Sequence, residues 1–293
     1  MGLLHWLGGQ SGRGKYLARA ADPDVLNHAW RRLRNEPGLW TRGVPMARMN
    51  QDVVRHIGEL ARELREGRYR AQPMRCFEIP KAEGGKRLIA APLIRDKLAQ
   101  RAVLTVLEPL GEAIFDDASF GFRPRCTREM ALSRIREWVR RGWCWLGDAD
   151  IETCFDAIPQ RPALKKLQQL CADPAIVELV QQWLDALPAR HRPAPGRGFP
   201  QGMVLSPFLC NLYLHQLDQD LNRQGIPFVR FADDFVLLAH DQPGAQKALQ
   251  AAGRSLQRLG LKLHPTKSRV IRSSQRHRFL GQRLPDSRER FQP

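Results

Sequence analysis

No stretch of this 293-residue chain approaches the ~18–20 consecutive apolar residues of a bilayer-crossing helix, so no membrane span is expected. The N-terminus, Met1-Gly2-Leu3-Leu4-His5-Trp6, lacks the charged segment and apolar stretch of a secretory signal. Trp6 stands where a myristoylation signal carries Ser or Thr. Cysteine is sparse: the six residues at 76, 126, 144, 154, 171 and 210 form no C-x-x-C pair. That argues against a disulfide framework or a zinc site and for reduced thiols in the cytoplasm. Acids are scarce as well, with 30 Asp+Glu facing 47 Lys+Arg for a formal net charge of +17. A surplus that large points to a polyanionic partner, nucleic acid first and an anionic membrane surface second. Hydrophobic content of 43% and charged content of 26% exclude extended disorder and fibrous repeats. The length allows one large or two modest domains.

Apolar residues recur at helical spacing (Val53, Val54, Ile57, Leu60, Ala61, Leu64) up to Gly67, with Asn50 as the expected N-cap. Two β-like runs, 75–80 and 87–92, flank the turn-forming Glu83-Gly84-Gly85. Helical patterns cover roughly 94–114 and 127–140, then 143–151 reads as a buried strand and 164–187 as helix broken near Pro174. After a Pro/Gly/Arg-rich loop at 188–198, helix is expected at 207–221, with Ser206 as N-cap and Pro207 at the first helical position. Residues 228–239 read as two short strands around an Asp pair, 245–259 as helix, and 261–264 and 278–282 as closing strands. Charge is uneven: residues 247–293 hold twelve Lys/Arg against Asp286 and Glu289, which favours phosphate contact over a merely solvated face.

Two places put acids where an apolar strand should not tolerate them. One is Trp145-Leu146-Gly147-Asp148-Ala149-Asp150-Ile151; the other is Val229-Arg230-Phe231-Ala232-Asp233-Asp234-Phe235-Val236-Leu237-Leu238. Adjacent carboxylates repel, and burying them unpaired forces protonation or a large desolvation cost. A divalent cation removes that cost, since Mg2+ takes carboxylate oxygens and keeps water and phosphate as its other ligands. An isolated Asp-Asp pair reads more simply as a solvated hairpin turn. A second acid-bearing strand upstream shifts the balance, because two-metal phosphoryl transfer needs acids gathered around ions ~4 Å apart.

These residues lie within longer motifs. The stretch Gly198-Phe199-Pro200-Gln201-Gly202-Met203-Val204-Leu205-Ser206-Pro207-Phe208-Leu209-Cys210-Asn211 resembles the G-x-P-Q-G-x-x-x-S-P-x-L-x-N signature of reverse transcriptases. Phe231-Ala232-Asp233-Asp234 resembles their Y-x-D-D box, with Phe where Tyr is usual. Asp150-Ile151-Glu152-Thr153-Cys154-Phe155-Asp156 resembles the first catalytic motif of bacterial group II intron-like members. Ile79-Pro80-Lys81, Gly85-Lys86-Arg87-Leu88 and Ser119-Phe120-Gly121-Phe122-Arg123-Pro124 are similar to their fingers segments, and Phe279-Leu280-Gly281 to a late palm motif. In this order the resemblance covers roughly residues 25–284.

The resemblance implies an α+β fold of right-hand polymerase fingers and palm. The palm would be a split βαβ sheet with helices on one face, and no thumb is expected, because the chain stops just past Gly281. It implies a basic leader at 1–24, mainly fingers at 25–142, mainly palm at 143–285 with finger-side helices at about 160–197, and a basic tail at 286–293. The implied activity is RNA-directed DNA polymerisation: dNTPs added to a DNA or RNA primer on an RNA template, with two Mg2+ ions for which Mn2+ can substitute. Asp150, Asp233 and Asp234 would hold the metals with the Ile151 carbonyl, while Asp148 and Asp156 take lesser roles. Phe155 would lie beneath the incoming sugar and exclude a 2′-hydroxyl. Lys81 and Arg87, with Lys86 as substitute, would clamp the triphosphate, and Gln201, Gly202 and Phe231 would shape the nucleotide pocket. Lys267 would protonate departing pyrophosphate or add one more phosphate contact. A CRISPR integrase, another protein or RNA, or self-association would replace the thumb, in a phage-defence or CRISPR-adaptation setting. Two other readings stay open: an RNA-templated RNA polymerase, and a catalytically weak nucleic-acid-binding subunit.

Overall fold

The computed structural model describes residues 14–80, 84–274 and 277–284. Lys81 and the tail at 286–293 therefore lie outside the described residues. The chain divides into two compact units. The first takes residues up to Ala113 with Arg161–Arg192 and Phe199–Ser206; the second takes Ile114–Gln160, Pro193–Gly198 and residues from Pro207 on.

In chain order, α1 (Lys15–Ala20) and α2 (Pro23–Leu33) precede a small ribbon of β1 (Leu39–Thr41) and β2 (Val44–Pro45), then α3 (Met46–Met49) and α4 (Val53–Arg65). The antiparallel pair β3 (Arg75–Pro80) and β4 (Lys86–Ala91) leads into α5 (Ile94–Glu112). Next come α6 (Arg128–Arg140), β5 (Trp145–Ala149), the one-turn α7 (Cys154–Ala157), α8 (Gln160–Cys171) and α9 (Pro174–Asp185). The chain continues through α10 (Ser206–Arg223), β6 (Phe228–Phe231), β7 (Asp234–Ala239), α11 (Gln242–Arg258) and β8 (Arg269–Arg272), then the ribbon β9 (Arg278–Phe279) and β10 (Gln282–Arg283). Among the described residues no helix is long and apolar enough to cross a membrane.

In the first unit, apolar faces of α1, α2 and α4 bury Ala20, Leu26, Trp30, Leu60 and Leu64, with α5 supplying Leu98, Ala102 and Leu107. Buried polar groups fix the joints between these helices. Asp173 accepts hydrogen bonds from the N–H groups of Gly14, Tyr16, Leu17 and Ala175, so one carboxylate caps two helix starts. Tyr69 donates to Asp96 (2.5 Å) and accepts from Trp183 Nε1 (2.8 Å), while burial pushes the Asp96 carboxyl up.

The second unit is built on a four-stranded antiparallel sheet in the order β6-β7-β5-β8. Its helices cover both faces, where the sequence suggested one. On one face α6 packs Ala131, Leu132, Ile135 and Val139 onto Leu146, Val229, Val236, Leu238 and Ile271. On the other, α11 lies against β5, β7 and β8, with the Ala245 carbonyl and Leu237 closing over Gly147. The reason is legible in β7, where Phe235 to Ala239 are buried without alternation and a strand apolar on both sides must be covered on both sides.

Three local expectations need correction. Asp52 caps α4 by accepting from Arg55 N–H, and Asn50 instead ends α3. Ser206 is no N-cap: its hydroxyl donates to the Pro200 carbonyl. The fourth sheet strand is 269–272, whereas 261–264 contributes a single bridge at Leu263; the tight turn after Pro265 displaces regular pairing to its far side.

Candidate active site

The sheet brings the acids to one end. Strands β5 and β7 pair Trp145 with Ala239 and, at the other end, Ala149 with Phe235. Asp150 follows directly on the end of that ladder, close enough for its charge to be felt by Asp234. The partner strand β6 pairs Phe231 with Asp234, so Ala232-Asp233 is a two-residue turn with Ala232 at φ 62°. A positive φ is strained for a residue with a Cβ, and the surroundings must hold it.

Asp150 is anchored through its backbone. Its carbonyl accepts from His264 N–H (2.8 Å), and its N–H donates to the Ser268 hydroxyl (3.3 Å). Glu152 N–H donates to the Lys262 carbonyl on the other side of the Ile151–Leu263 bridge. In an antiparallel pair that pattern directs the Ile151 carbonyl to the opposite edge, so this ladder does not consume it. The Lys267 ammonium lies 3.5 Å from the Asp150 carboxylate, and Arg269 lies 3.8 Å from Asp148.

Electrostatics set the character of this end of the sheet. Desolvation first, then the negative charges of Asp233, Asp150 and Asp148, push the Asp234 carboxyl up to about 7, with Lys267 opposing. A bound cation would cancel the part of that shift that comes from the neighbouring carboxylates. Asp148 is also raised, by burial and by Asp150, against the pull of Arg269 and His277. Carboxylates plus a backbone carbonyl are the hard oxygen donors that Mg2+ takes. Among the described residues no three His, Cys, Asp or Glu side chains converge as a closed metal cage. Mg2+ in phosphate chemistry needs no such cage, since one or two carboxylates suffice beside water and phosphate oxygens.

Beneath the turn lies a network that the sequence reading did not single out. Arg230 is fully buried and forms a two-pronged pair with Asp218, Nε to Oδ1 at 2.7 Å and Nη2 to Oδ2 at 2.5 Å. Its Nη1 also donates to the Ala232 carbonyl (3.0 Å) and to Asn211 Oδ1 (2.9 Å). Asn211 in turn donates to the Gly121 carbonyl (2.6 Å). Burial works against the Arg230 charge, but Asp218 outweighs it and the guanidinium is held above its ordinary range. The guanidinium thus grips the strained turn by its first carbonyl. The available signal was a cation inside the apolar run Phe228-Val229-Arg230-Phe231, which demands a buried partner.

Gly121 completes the clamp. A Cβ there would fall 2.2 Å from the Ala232 nitrogen and 2.8 Å from the Phe231 carbonyl carbon, both backbone atoms of the turn. Gly121→Ala is therefore expected to cost about 1–3 kcal/mol in urea unfolding and to lower activity by displacing Asp233. Wild-type stability and activity in that variant would show that the turn tolerates the shift.

The remaining sequence candidates distribute as follows. Phe155, on α7, is half-buried and outside the core; its ring meets that of Phe122 at 6.1 Å and 78°. Phe231 packs its ring against the core under the sheet. In the first unit, Lys86 and Arg87 are exposed on β4, with the Lys86 ammonium 2.7 Å from Glu78. The Gln201 carbonyl accepts from Ala90 N–H (2.7 Å). The close approach that Gly202 permits is to the Ala90 carbonyl, 2.7 Å from where a Cβ would stand.

Comparison with known proteins bears on the family of the chain. The family model described as reverse transcriptase (RNA-dependent DNA polymerase) matches residues 79–284. The group II intron-encoded protein LtrA of Lactococcus lactis subsp. cremoris is 33% identical over 208 residues, covering 70% of this chain and 34% of that protein. Protein YkfC of Escherichia coli (strain K12) is 26% identical over 322 residues, covering 94% and 84% respectively. A chain of a partial Cas6-RT-Cas1-Cas2 complex is 29% identical with a TM-score of 0.50, covering 83% of this chain and 41% of that one. The chain spans about a quarter of the length of the first curated relatives it matches. With a family model matched along most of its length, the chain belongs to the reverse transcriptase family.

Proposed function

We propose that this chain is an RNA-directed DNA polymerase that adds dNTPs to a primer on an RNA template. The observation that carries this reading is the gathering of Asp150 and Asp233-Asp234 at one end of the sheet, where desolvation first and then the neighbouring carboxylates push Asp234 up to about 7. Asp150 and Asp233 would hold two Mg2+ ions, with Asp234 more peripheral and the Ile151 carbonyl as backbone ligand; Mn2+ would substitute. Bound there, divalent cations activate the primer 3′-hydroxyl and neutralise charge on the triphosphate. Lys267, whose ammonium lies 3.5 Å from the Asp150 carboxylate, is assigned to the departing pyrophosphate, as proton donor or as a further phosphate contact. Lys81, Lys86, Arg87, Gln201, Gly202 and Phe231 are assigned to nucleotide binding through the motifs they belong to. Fingers are assigned mainly to residues 25–142, with finger-side helices at about 160–197, and palm mainly to residues 143–285.

Phe155 is assigned to sugar selection. A half-buried ring five residues after Asp150 is better placed to meet a substrate than a core phenylalanine would be. Phe155→Val is expected to raise ribonucleotide relative to deoxyribonucleotide incorporation by about ten-fold or more, by opening room for the 2′-hydroxyl. An unchanged ratio in a folded variant would return Phe155 to packing.

The test of the activity itself is extension of a primer on a mixed-sequence RNA template with dNTPs or rNTPs. DNA synthesis directed by the RNA supports the reading, whereas rNTP preference would favour an RNA polymerase. The similarity to the Cas6-RT-Cas1-Cas2 chain supports a CRISPR-adaptation or defence setting with an integrase as partner, testable by co-purification.

A further inference from the structure

Phe122 combines two unfavourable features. Its backbone sits at φ 58°, a conformation that a bulky side chain rarely adopts, and its ring is 52% exposed. Neither is forced by the fold's apolar core, because the neighbouring Phe120 fills that role and is buried. What forces both is the pinning of the residues on either side. Phe120 N–H donates to the Arg230 carbonyl (2.8 Å), and the Gly121 carbonyl accepts from Asn211. On the far side Arg123 donates to the carbonyls of Asp116 and Ser119, both at 2.6 Å, and its guanidinium lies over the Phe115 ring. The chain between these anchors projects the Phe122 ring outward, edge-on to Phe155. Strain and apolar exposure held in place by the surroundings are features of sites where a side chain does work on a ligand or on another residue.

We propose that Phe122 is a positioning residue for sugar selection: its ring blocks the retreat of Phe155 when a 2′-hydroxyl presses on it. This rests on the reading of Phe155 given above. Phe155 stands on a single helical turn entered through Thr153 at φ 44°, an element too short to hold a side chain rigid by itself. An edge-to-face partner restricts that ring, and the partner, Phe122, is a large apolar residue that is itself broadly exposed. The two rings form one wall, with Phe155 touching the sugar and Phe122 behind it.

The test compares kcat/KM for a ribonucleotide and its deoxyribonucleotide in wild type, Phe122→Ala, Phe155→Val and the double variant. Phe122→Ala is expected to raise relative ribonucleotide use about three- to ten-fold. The double variant is expected to match Phe155→Val alone, since a brace has nothing to hold once its ring is gone. A shifted ratio in Phe155→Val with no shift in Phe122→Ala would overturn the proposal and leave the Phe155 reading standing. No shift in Phe155→Val would remove that reading and the proposal together. Multiplicative effects in the double variant would also overturn it, because Phe122 would then act independently of Phe155. Phe122→Gly guards against misfolding: glycine adopts φ 58° without strain, so thermal stability is expected to hold or rise while the ratio shifts as in Phe122→Ala. A loss of stability in Phe122→Gly would instead make Phe122 a structural residue and overturn the proposal.

Discussion

Alanine at Asp150 or Asp233 is expected to lower Mg2+-dependent dNTP incorporation at least about 10³-fold, because electrostatic stabilisation by clamped cations supplies much of the barrier reduction in phosphoryl transfer. Template-primer binding is expected to survive in both variants. The chain carries a formal net charge of +17, and removing an acid takes no phosphate contact away. Loss of Asp233 also removes the like charge that presses hardest on Asp234, whose carboxyl then falls back towards its ordinary range. Single-turnover primer extension and filter binding on the same preparations separate the two effects. Near wild-type extension by either variant would remove that carboxylate from the metal site.

The second large effect concerns the buried clamp. Arg230→Met leaves Asp218 buried and unpaired, which is expected to cost about 3–5 kcal/mol. The double variant Arg230→Met with Asp218→Leu replaces the pair by apolar groups of similar bulk and is expected to regain most of that stability. Activity is not expected to return with it. The Ala232 carbonyl and Asn211 would still lack their guanidinium, and the strained turn that carries Asp233 would lose its anchor. Urea unfolding and primer extension read the two quantities separately. A double variant that is both stable and fully active would reduce Arg230 to a role in folding alone.

Legibility in the sequence followed the strength of the local physical signal. Adjacent acids in an apolar run announce themselves, so Asp150, Asp233 and Asp234 could be picked out, and the strand-to-strand register then accounts for their meeting. The helical pattern at 127–140 and the break near Pro174 were legible in the spacing of apolar residues and in the proline, while the caps that fix these helix starts, Thr127 and Asp173, emerge only in the structure. Asn50 misled because Asp52, two residues on, offers a better acceptor to the first turn of α4. Strand β8 was missed: its four residues Arg-Val-Ile-Arg show too little alternation to read alone and are strand only because β5 offers an edge. Both-face coverage was readable in the unbroken run from Phe235 to Ala239, whose meaning a period-two reading overlooks. Asp218 could not have been matched to Arg230 from the sequence, since twelve residues and a change from helix to strand separate them. The Phe122 backbone conformation has no sequence signature in a Phe and is set wholly by its pinned neighbours.

The central claim is that this chain polymerises DNA on RNA, and the direct measurement is incorporation of labelled dTTP on poly(rA)/oligo(dT). Purified wild-type protein is expected to synthesise DNA in Mg2+, to stop on chelation and to resume when the ion is restored, with Asp233→Ala inactive throughout. Tight binding of template-primer by the wild type with no incorporation in either Mg2+ or Mn2+ would contradict the claim and leave a nucleic-acid-binding subunit in its place.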